Sequence, residues 1–368
     1  MYKILIWGTG SRAEKYIKLH AEILDYIKIQ AFIDGGKEEW KDKYFTMPDG
    51  TLKEKIRPNQ IGEYKYDYIV VLSTSYKEIV SVAMSFGVPL DSILDGIAFY
   101  KLWRKTGYYY FKEKYGSYTC KEKEQSIALK ESEYVWVSWL QGWEAAPILV
   151  QKCVESIKKW TSGKKFVFLT MKNVGEYIEI PDYVMEKFSD GIIRPAFFSD
   201  ILRLLLLEKY GGLWVDATVF CMDDFSYLYS GSNFFAFRVT DEEVIASSWF
   251  LYAAKGHVLV KETLRLVLRY CREMEQMEHY YIFHYFFRMA AECYEEEWDK
   301  VPAIEGSGCY LLFENMNAPY TEEKYQEIAR AMPVQKLNYR QYLEIQKEDT
   351  FYQYVVAERL GQDVIGQR

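Results

Sequence analysis

The sequence has few histidines, no closely spaced cysteine pair and no excess of positive charge. Four of its 368 residues are His, which argues against a multi-histidine metal centre. Its six cysteines lie far apart without a C-x-x-C pair, so we expect neither a zinc ribbon nor a compact disulfide framework but reduced thiols. The net charge of −7 argues against a nucleic-acid partner, because phosphate contacts need a basic surface.

Long apolar runs are also missing. No stretch reaches the ~18 uncharged apolar residues that a membrane-spanning helix requires, and the opening residues MYKILIWG do not have the layout of a signal peptide. We therefore expect a cytoplasmic protein whose contact with the inner face of the membrane is at most peripheral. A composition of 49% hydrophobic and 27% charged residues is typical of a folded globular chain, and the length predicts two to three domains.

A glycine-rich turn follows the first apolar segment. Residues 2–7 predict a strand, Gly8 to Ala13 read G-x-G-x-x-A, and an amphipathic helix through about Tyr26 leads to a second strand that ends at Asp34. In this context Gly8 and Gly10 could let a phosphate approach the helix N-terminus, while Asp34 could accept from a ribose hydroxyl. The alternating α/β pattern ends near Gly96, about half of a dinucleotide-binding fold. A Rossmann-like domain over 1–98 is therefore predicted, either to bind a nucleotide or to serve a structural or docking role.

The rest of the chain divides into three segments. Residues 99–132, rich in Tyr, Lys and Glu, predict a linker that is either a partly solvated helix or a surface for a membrane or an acceptor carrier. From residue 133 the β-α-β alternation begins again, which predicts a second α/β domain over 133–320. The polar residues 321–368 predict a C-terminal helical extension that aids packing.

The densest motif is RPAFFSDILRLLLLEKYGGLWVDATVFC, residues 194–221. Its apolar repeat predicts a mostly buried helix from about 196 to 210, with Ser199 capping its start. Gly211 and Gly212 should end this helix, and the short strand 213–215 should deliver Asp216 at its carboxyl end, where ligands of open α/β sheets collect.

Three charged residues of this motif form the candidate site. Asp200 and Arg203 are three residues apart and share a helical face, which could point toward Asp216. Carboxylates accept hydrogen bonds from sugar hydroxyls or hold a divalent cation, and a guanidinium neutralises phosphate. Together, two carboxylates and a guanidinium would suit the binding of a sugar diphosphate.

The segment SDILRLLLLEKYGGLWVDATV resembles the core signature of capsular polysaccharide synthesis glycosyltransferases. This family is related to fungal mannosyltransferases that initiate outer-chain glycans and to the clostridial glucosylating toxins. Residues 135–160, 246–260 and 279–287 resemble its opening strand and helix, its middle segment and its late aromatic-His segment. The resemblance covers Val135 to Asn317 and implies a GT-A-type domain behind the Rossmann-like one.

The resemblance also implies roles for individual residues. Asp216, Asp200 and Arg203 would be catalytic, and a Mn²⁺ or Mg²⁺ ion would bind at Asp216 and Thr218. The family's D-x-D motif reads Asp216-Ala217-Thr218 here, and a neutral hydroxyl is the weaker ligand. Substrate-binding positions would be Trp139, Gln141, Ser199, Gly211, Gly212, Ser248, Trp249 and His284.

The predicted function is that of a retaining glycosyltransferase. It would move a sugar from a nucleoside diphosphate sugar to a growing, lipid-linked glycan in capsular or exopolysaccharide biosynthesis, with the leaving phosphate taking the acceptor's proton. One alternative is an NAD(P)-dependent sugar-nucleotide oxidoreductase or epimerase acting through Gly8, Gly10 and Asp34. Another, favoured by Thr218, is a catalytically inactive carbohydrate-binding assembly protein.

Overall fold

The computed structural model describes residues 1–36, 42–119, 132–339 and 349–357. The chain divides into two compact units. The N-terminal unit consists of Met1–Phe111 and Gln276–Tyr281, and the C-terminal unit consists of Lys112–Glu275 and Ile282–Arg368. The boundaries differ from the predicted ones because part of the expected linker and a six-residue return of the chain belong to the N-terminal unit.

The N-terminal unit is built on a six-stranded sheet with the order β3-β4-β2-β1-β5-β6. All neighbouring strands are parallel except β3 and β4, which form an antiparallel pair. Its elements are β1 (Tyr2–Trp7), α1 (Ser11–Leu19), β2 (Ile27–Ile33), β3 (Tyr44–Thr46), β4 (Leu52–Ile56), β5 (Tyr68–Val71), α2 (Tyr76–Ser85), β6 (Ile93–Asp95) and the larger part of α3 (Gly96–Tyr115).

Strand β1 is at the centre of this sheet because it is apolar on both faces. Ile4 and Ile6 pack into one buried cluster, while Leu5 and Trp7 pack into another on the opposite face. All four side chains are at most 4% exposed. A strand covered on both sides reads as a continuous apolar run, which is why the sequence predicts it clearly.

Three details of this unit depart from the sequence-based prediction. The helix expected to run from the glycine turn to residue 26 ends at Leu19, and a 3-10 helix, Ala21–Tyr26, follows it. The β3–β4 pair was not predicted. The expected linker begins as the 20-residue helix α3, in line with one predicted alternative, but it is packed rather than solvated at Trp103, which is 3% exposed and stacks on His279 with 3.8 Å between the ring centroids.

The C-terminal unit carries a five-stranded sheet with the order β11-β12-β9-β7-β8. Strands β8, β7 and β9 are parallel, whereas β12 and β11 are added antiparallel. Its elements are β7 (Tyr134–Ser138), α4 (Ile148–Trp160), β8 (Lys165–Leu169), α5 (Asp182–Ser189), α6 (Pro195–Tyr210), β9 (Gly212–Val215), β10 (Val219–Cys221), β11 (Phe234–Arg238), β12 (Ala246–Ala253), α7 (Val258–Glu273), α8 (Ile282–Cys293), α9 (Glu295–Asp299), α10 (Leu311–Asn315), α11 (Glu322–Ala331), β13 (Val334–Lys336) and α12 (Phe351–Val356). The α/β class predicted for both parts of the chain is confirmed.

The predicted C-terminal extension is more than a helical packing aid. Within residues 321–368, β13 pairs antiparallel with β10 and forms a separate two-stranded sheet. Val334 is fully buried, and Lys336 lies opposite Val219 in the ladder. This part of the chain therefore contributes directly to the region that follows Asp216.

Two further expectations can be compared with the structure. Within the described residues, no helix is long and apolar enough to cross a membrane. Cys153, Cys221, Cys271 and Cys309 are free and buried, whereas Cys293 is disulfide-bonded, so the expectation of six reduced thiols was wrong at that position. Cys120 lies outside the described residues.

Candidate active site

Arg203 is the centre of a charged cluster in the C-terminal unit. It lies on α6, its side chain is 3% exposed, and it bonds two carboxylates at once. Nη1 donates to Asp200 on the preceding helical turn, while Nη2 donates to Oδ1 of Asp216 at 2.9 Å. Its guanidinium carbon lies 5.0 Å from the ring centroid of Trp214 and 5.5 Å from that of Phe283. The structure thus brings together the three residues that the sequence singled out.

Asp216 is the first residue after β9, at the carboxyl edge of the parallel strands. Its backbone N–H donates to the carbonyl of Trp249 on β12. Its Oδ1 also accepts from the indole N–H of Trp214 at 3.0 Å, which fixes the carboxylate between strand and helix. The side chain remains 25% exposed. It is therefore held from the protein side and accessible from solvent.

A fourth charged group, Lys336, completes the cluster. Its Nζ lies 2.7 Å from Oδ2 of Asp216 and 2.8 Å from the hydroxyl of Thr218. Sequence reasoning missed this lysine because it is 120 positions from Asp216 and lies on a three-residue strand. The sequence around Lys336 contains no motif that indicates a site.

The two carboxylates have opposite pKa shifts. Burial raises the pKa of Asp200 to about 6, and Arg203 only partly opposes this. Burial also raises the pKa of Asp216, but Lys336, Arg203 and the bonds from Lys336 and Trp214 outweigh it, so that its pKa lies below the ordinary value. At neutral pH both groups are ionised, and the cluster pairs two carboxylates with two cations.

Aromatic side chains lie beside the two cations of the cluster. Trp249, predicted as a pocket residue, has its ring centroid 5.9 Å from Nζ of Lys336 and makes an edge contact with Tyr310. Ser248 precedes it on β12 and is half-buried. Helix α8 reaches the cluster through Phe283, and His284 follows directly as a half-buried residue. The roles of Ser248 and His284 stay predictions.

The predicted nucleoside-binding residues follow β7, which is parallel to β9 and ends at the same edge of the sheet. Trp139 is half-buried and contacts Tyr339, three residues beyond Lys336, edge to face with centroids 5.4 Å apart. The indole N–H of Trp139 and the hydroxyl of Ser138 are buried without a hydrogen-bond partner. Gln141 is exposed.

Three of the predicted substrate-binding residues lie inside a helix or against neighbouring backbone. Helix α6 begins at Pro195 after Arg194, so Ser199 lies inside the helix and does not cap it, because the fixed φ of proline suits the first helical position. Gly211 and Gly212 have φ values of 68° and 105° and are buried. A Cβ on Gly211 would meet Lys255 N at 2.6 Å, and one on Gly212 would meet Tyr134 O at 2.4 Å. These contacts give both glycines a packing role.

The residues predicted to bind a metal do not fit a divalent cation. Asp216 and Thr218 offer one carboxylate and one hydroxyl, and Lys336 donates to both. Mg²⁺ can be held by one or two carboxylates together with waters and substrate phosphates, so what disfavours the ion here is the ammonium that already bonds both oxygens. In the part of the chain that the structure describes, no group of three His, Cys, Asp or Glu residues could hold a metal ion.

The N-terminal unit has a cavity at its own glycine turn. The cavity holds about 390 Å³ and is lined by residues that include Trp7, Gly8, Asp34 and Ser73. Gly8 has φ 130°, and a Cβ there would lie 2.7 Å from Leu72 O, whereas the space around Gly10 is open. Asp34 already accepts from the hydroxyl of Thr9 at 2.9 Å. Of the three predicted residues, Gly8 and Asp34 line this cavity, whereas Gly10 is not part of its lining.

Two family models match the chain. The model described as "Capsular polysaccharide synthesis protein" matches residues 97–355, and "C2185-like, N-terminal" matches residues 1–94. The first covers well over half of the sequence, so the chain belongs to the capsular polysaccharide synthesis protein family. The family resemblance predicted from the motifs is confirmed.

The chain is also similar to solved glycosyltransferase structures. The PaToxG glycosyltransferase aligns at 14% identity and a TM-score of 0.33, covering 64% of this chain and 100% of that one. The galactosyltransferase LgtC, solved in complex with donor and acceptor sugar analogues, aligns at 10% identity and a TM-score of 0.30, covering 55% of this chain and 86% of that one. No curated protein matches the sequence.

Proposed function

We propose that this protein is a retaining glycosyltransferase of capsular or exopolysaccharide assembly. It would transfer a sugar from a nucleoside diphosphate sugar to a glycan acceptor, such as a lipid-linked chain, at the cytoplasmic side of the membrane. Family membership supports the pathway. The observation that carries the reaction is the buried Arg203 that holds Asp200 and Asp216 together at the carboxyl edge of the sheet.

The cluster has the chemistry that a nucleoside diphosphate sugar requires. Carboxylate oxygens accept from sugar and ribose hydroxyls, and a partly exposed ammonium can neutralise charge that develops on the leaving diphosphate. A buried set of charges is costly to maintain for packing alone, since apolar residues of the same volume often serve as well. We assign Arg203 a positioning role, because both of its Nη groups bond carboxylates rather than face solvent.

Turnover of donors tests the proposal. The full-length protein is incubated with a panel of UDP-, GDP- and dTDP-sugars, and release of the nucleoside diphosphate is followed with and without acceptor glycans. We expect release from one donor class and a product sugar of unchanged anomeric configuration, as read by proton NMR before mutarotation. Folded protein that releases nothing from any donor would contradict the transferase assignment, and an inverted product would contradict retention alone.

The cavity of the N-terminal unit supports a second candidate function. We propose that a nucleotide binds there, with its phosphate near Gly8 and a ribose hydroxyl at Asp34, as the oxidoreductase or epimerase alternative requires. Fluorescence of NADH and NADPH titrated with the full-length protein tests this directly. Binding that weakens in Asp34→Asn would support it, while unchanged fluorescence at saturating protein would refute it.

A further inference from the structure

The ammonium of Lys336 lies where the motif Asp216-x-Thr218 would hold a cation. Its two hydrogen bonds go to the carboxylate of residue 216 and the hydroxyl of residue 218, the two atoms predicted as metal ligands. The side chains of Lys336 and Asp216 are 20% and 25% exposed, so a ligand can reach them from solvent.

The backbone fixes this placement. Strand β13 pairs with β10, and the N–H of Leu337 donates to the carbonyl of Thr218 at 2.9 Å. Lys336 is therefore tied to the segment that follows Asp216, and Trp249 packs beside its ammonium. A side chain held at its backbone and at its tip is preorganised, so little conformational freedom is lost when a ligand binds.

Electrostatics disfavours a second cation at this position. Oδ1 of Asp216 accepts from Arg203 and Trp214, while Oδ2 accepts from Lys336. A divalent ion bound there would lie beside two positive side chains. Like charges a few ångströms apart repel strongly at the effective dielectric of a protein surface, and a divalent ion doubles the repulsion. The carboxylate is already neutralised by protein groups.

We propose that Lys336 binds the donor's diphosphate in place of a divalent metal ion, so that the protein acts without one. This inference rests on the proposed function. An ammonium has three N–H groups, of which two bond Asp216 and Thr218, and the third is available to an oxygen of the diphosphate.

The step balances without any further reactant. The bond between the anomeric carbon and the β-phosphate oxygen breaks, and its electron pair stays on the phosphate. The acceptor hydroxyl forms the new glycosidic bond, and its proton passes to the leaving phosphate. Lys336 stabilises the negative charge on the leaving phosphate by a charge-assisted hydrogen bond.

Calorimetry with UDP, GDP and dTDP as probes tests the proposal. Each is titrated into the full-length protein in EDTA and again in excess Mn²⁺. We expect one of them to bind with the same affinity in both buffers, and Lys336→Met to weaken this affinity by about tenfold or more, as expected for the loss of a hydrogen bond to a charged group. Lys324→Met is the matched control, because Lys324 forms a surface pair with Glu327 on α11.

A second variant keeps the inference testable if Lys336→Met does not fold. The double substitution Thr218→Asp with Lys336→Ala creates an Asp-x-Asp motif without the lysine, and we expect its nucleotide binding to require Mn²⁺. A double variant whose binding is insensitive to Mn²⁺, or a folded Lys336→Met with wild-type affinity, would overturn the inference. So would wild-type binding that is lost in EDTA, which would leave the transferase assignment intact. Failure of all three nucleotides to bind in either buffer would contradict the proposed function itself.

Discussion

Asp200→Asn should make the protein more stable at neutral pH. The pKa of Asp200 is raised from 3.8 to about 6 by burial, and its side chain is only 17% exposed. Each pKa unit corresponds to about 1.4 kcal/mol, so ionising this carboxyl in the folded protein costs about 3 kcal/mol at neutral pH. Asn has the shape of the protonated carboxyl and removes this cost.

The gain should depend on pH with a defined sign. The folded protein binds the Asp200 proton more tightly than the unfolded chain does, so this group lowers the free energy of unfolding as pH rises from about 4 to about 6. Above that window the loss is complete. We therefore expect the free energy of unfolding of Asp200→Asn to be higher than that of wild type by about 3 kcal/mol at pH 7.5 and by about 1 kcal/mol at pH 4.5.

Urea unfolding followed by tryptophan fluorescence at the two pH values measures this difference. Asp223→Asn is the control, since Asp223 is exposed on the turn after β10. The same Asp200 variant should lose donor turnover, because a destabilising charge that is retained is typical of a functional site. A variant less stable than wild type at pH 7.5, or a gain that does not change with pH, would refute the reasoning.

Two other residues give predictions about stability. Gly212→Ala should lower the free energy of unfolding by about 3 kcal/mol or more, because its φ is 105° and a Cβ would meet Tyr134 O at 2.4 Å. The control is Gly175→Ala, which has open space around it and should leave the free energy of unfolding almost unchanged in the same urea assay. If both variants lost the same free energy of unfolding, the steric argument would be contradicted. Burial lowers the pKa of His279 to about 3, so the unfolded chain binds a proton below about 6.5 that the folded chain rejects. The free energy of unfolding of wild type should therefore fall as pH decreases below about 6.5, and that of His279→Phe should fall less. If the free energy of unfolding had the same pH dependence in both proteins, this prediction would be refuted.

The sequence predicted those parts of the fold that have a strong local pattern. Strand β1 is apolar on both faces and α6 is apolar over most of its surface, so both were found with bounds close to those observed. The β3–β4 pair was missed because it is short and largely exposed, and its residues carry little hydrophobic periodicity. Its existence depends on pairing with β2 rather than on propensity.

The part of the candidate site that the sequence predicted is the part encoded in one local stretch. Asp200, Arg203 and Asp216 lie within 17 positions on a helix, a turn and a strand, so local geometry is enough to group them. Lys336 joins them through strand pairing across 120 positions, which a single sequence does not reveal. The resemblance assigned Gly211 and Gly212 to substrate, and the structure adds that neighbouring backbones lie within 3 Å of where their Cβ atoms would be, which the sequence does not reveal. Their role toward substrate stays a prediction.

The most direct test of the central claim is donor turnover by Asp216→Asn. With the donor identified, rates are measured for wild type, for Asp216→Asn and for the exposed control Asp223→Asn, with melting temperatures to establish folding. Asp216 joins Arg203 and Lys336, so we expect its loss to reduce turnover by about a hundredfold or more while the control keeps the wild-type rate. A folded Asp216→Asn protein that releases nucleoside diphosphate at the wild-type rate would show that the cluster is not the site of transfer.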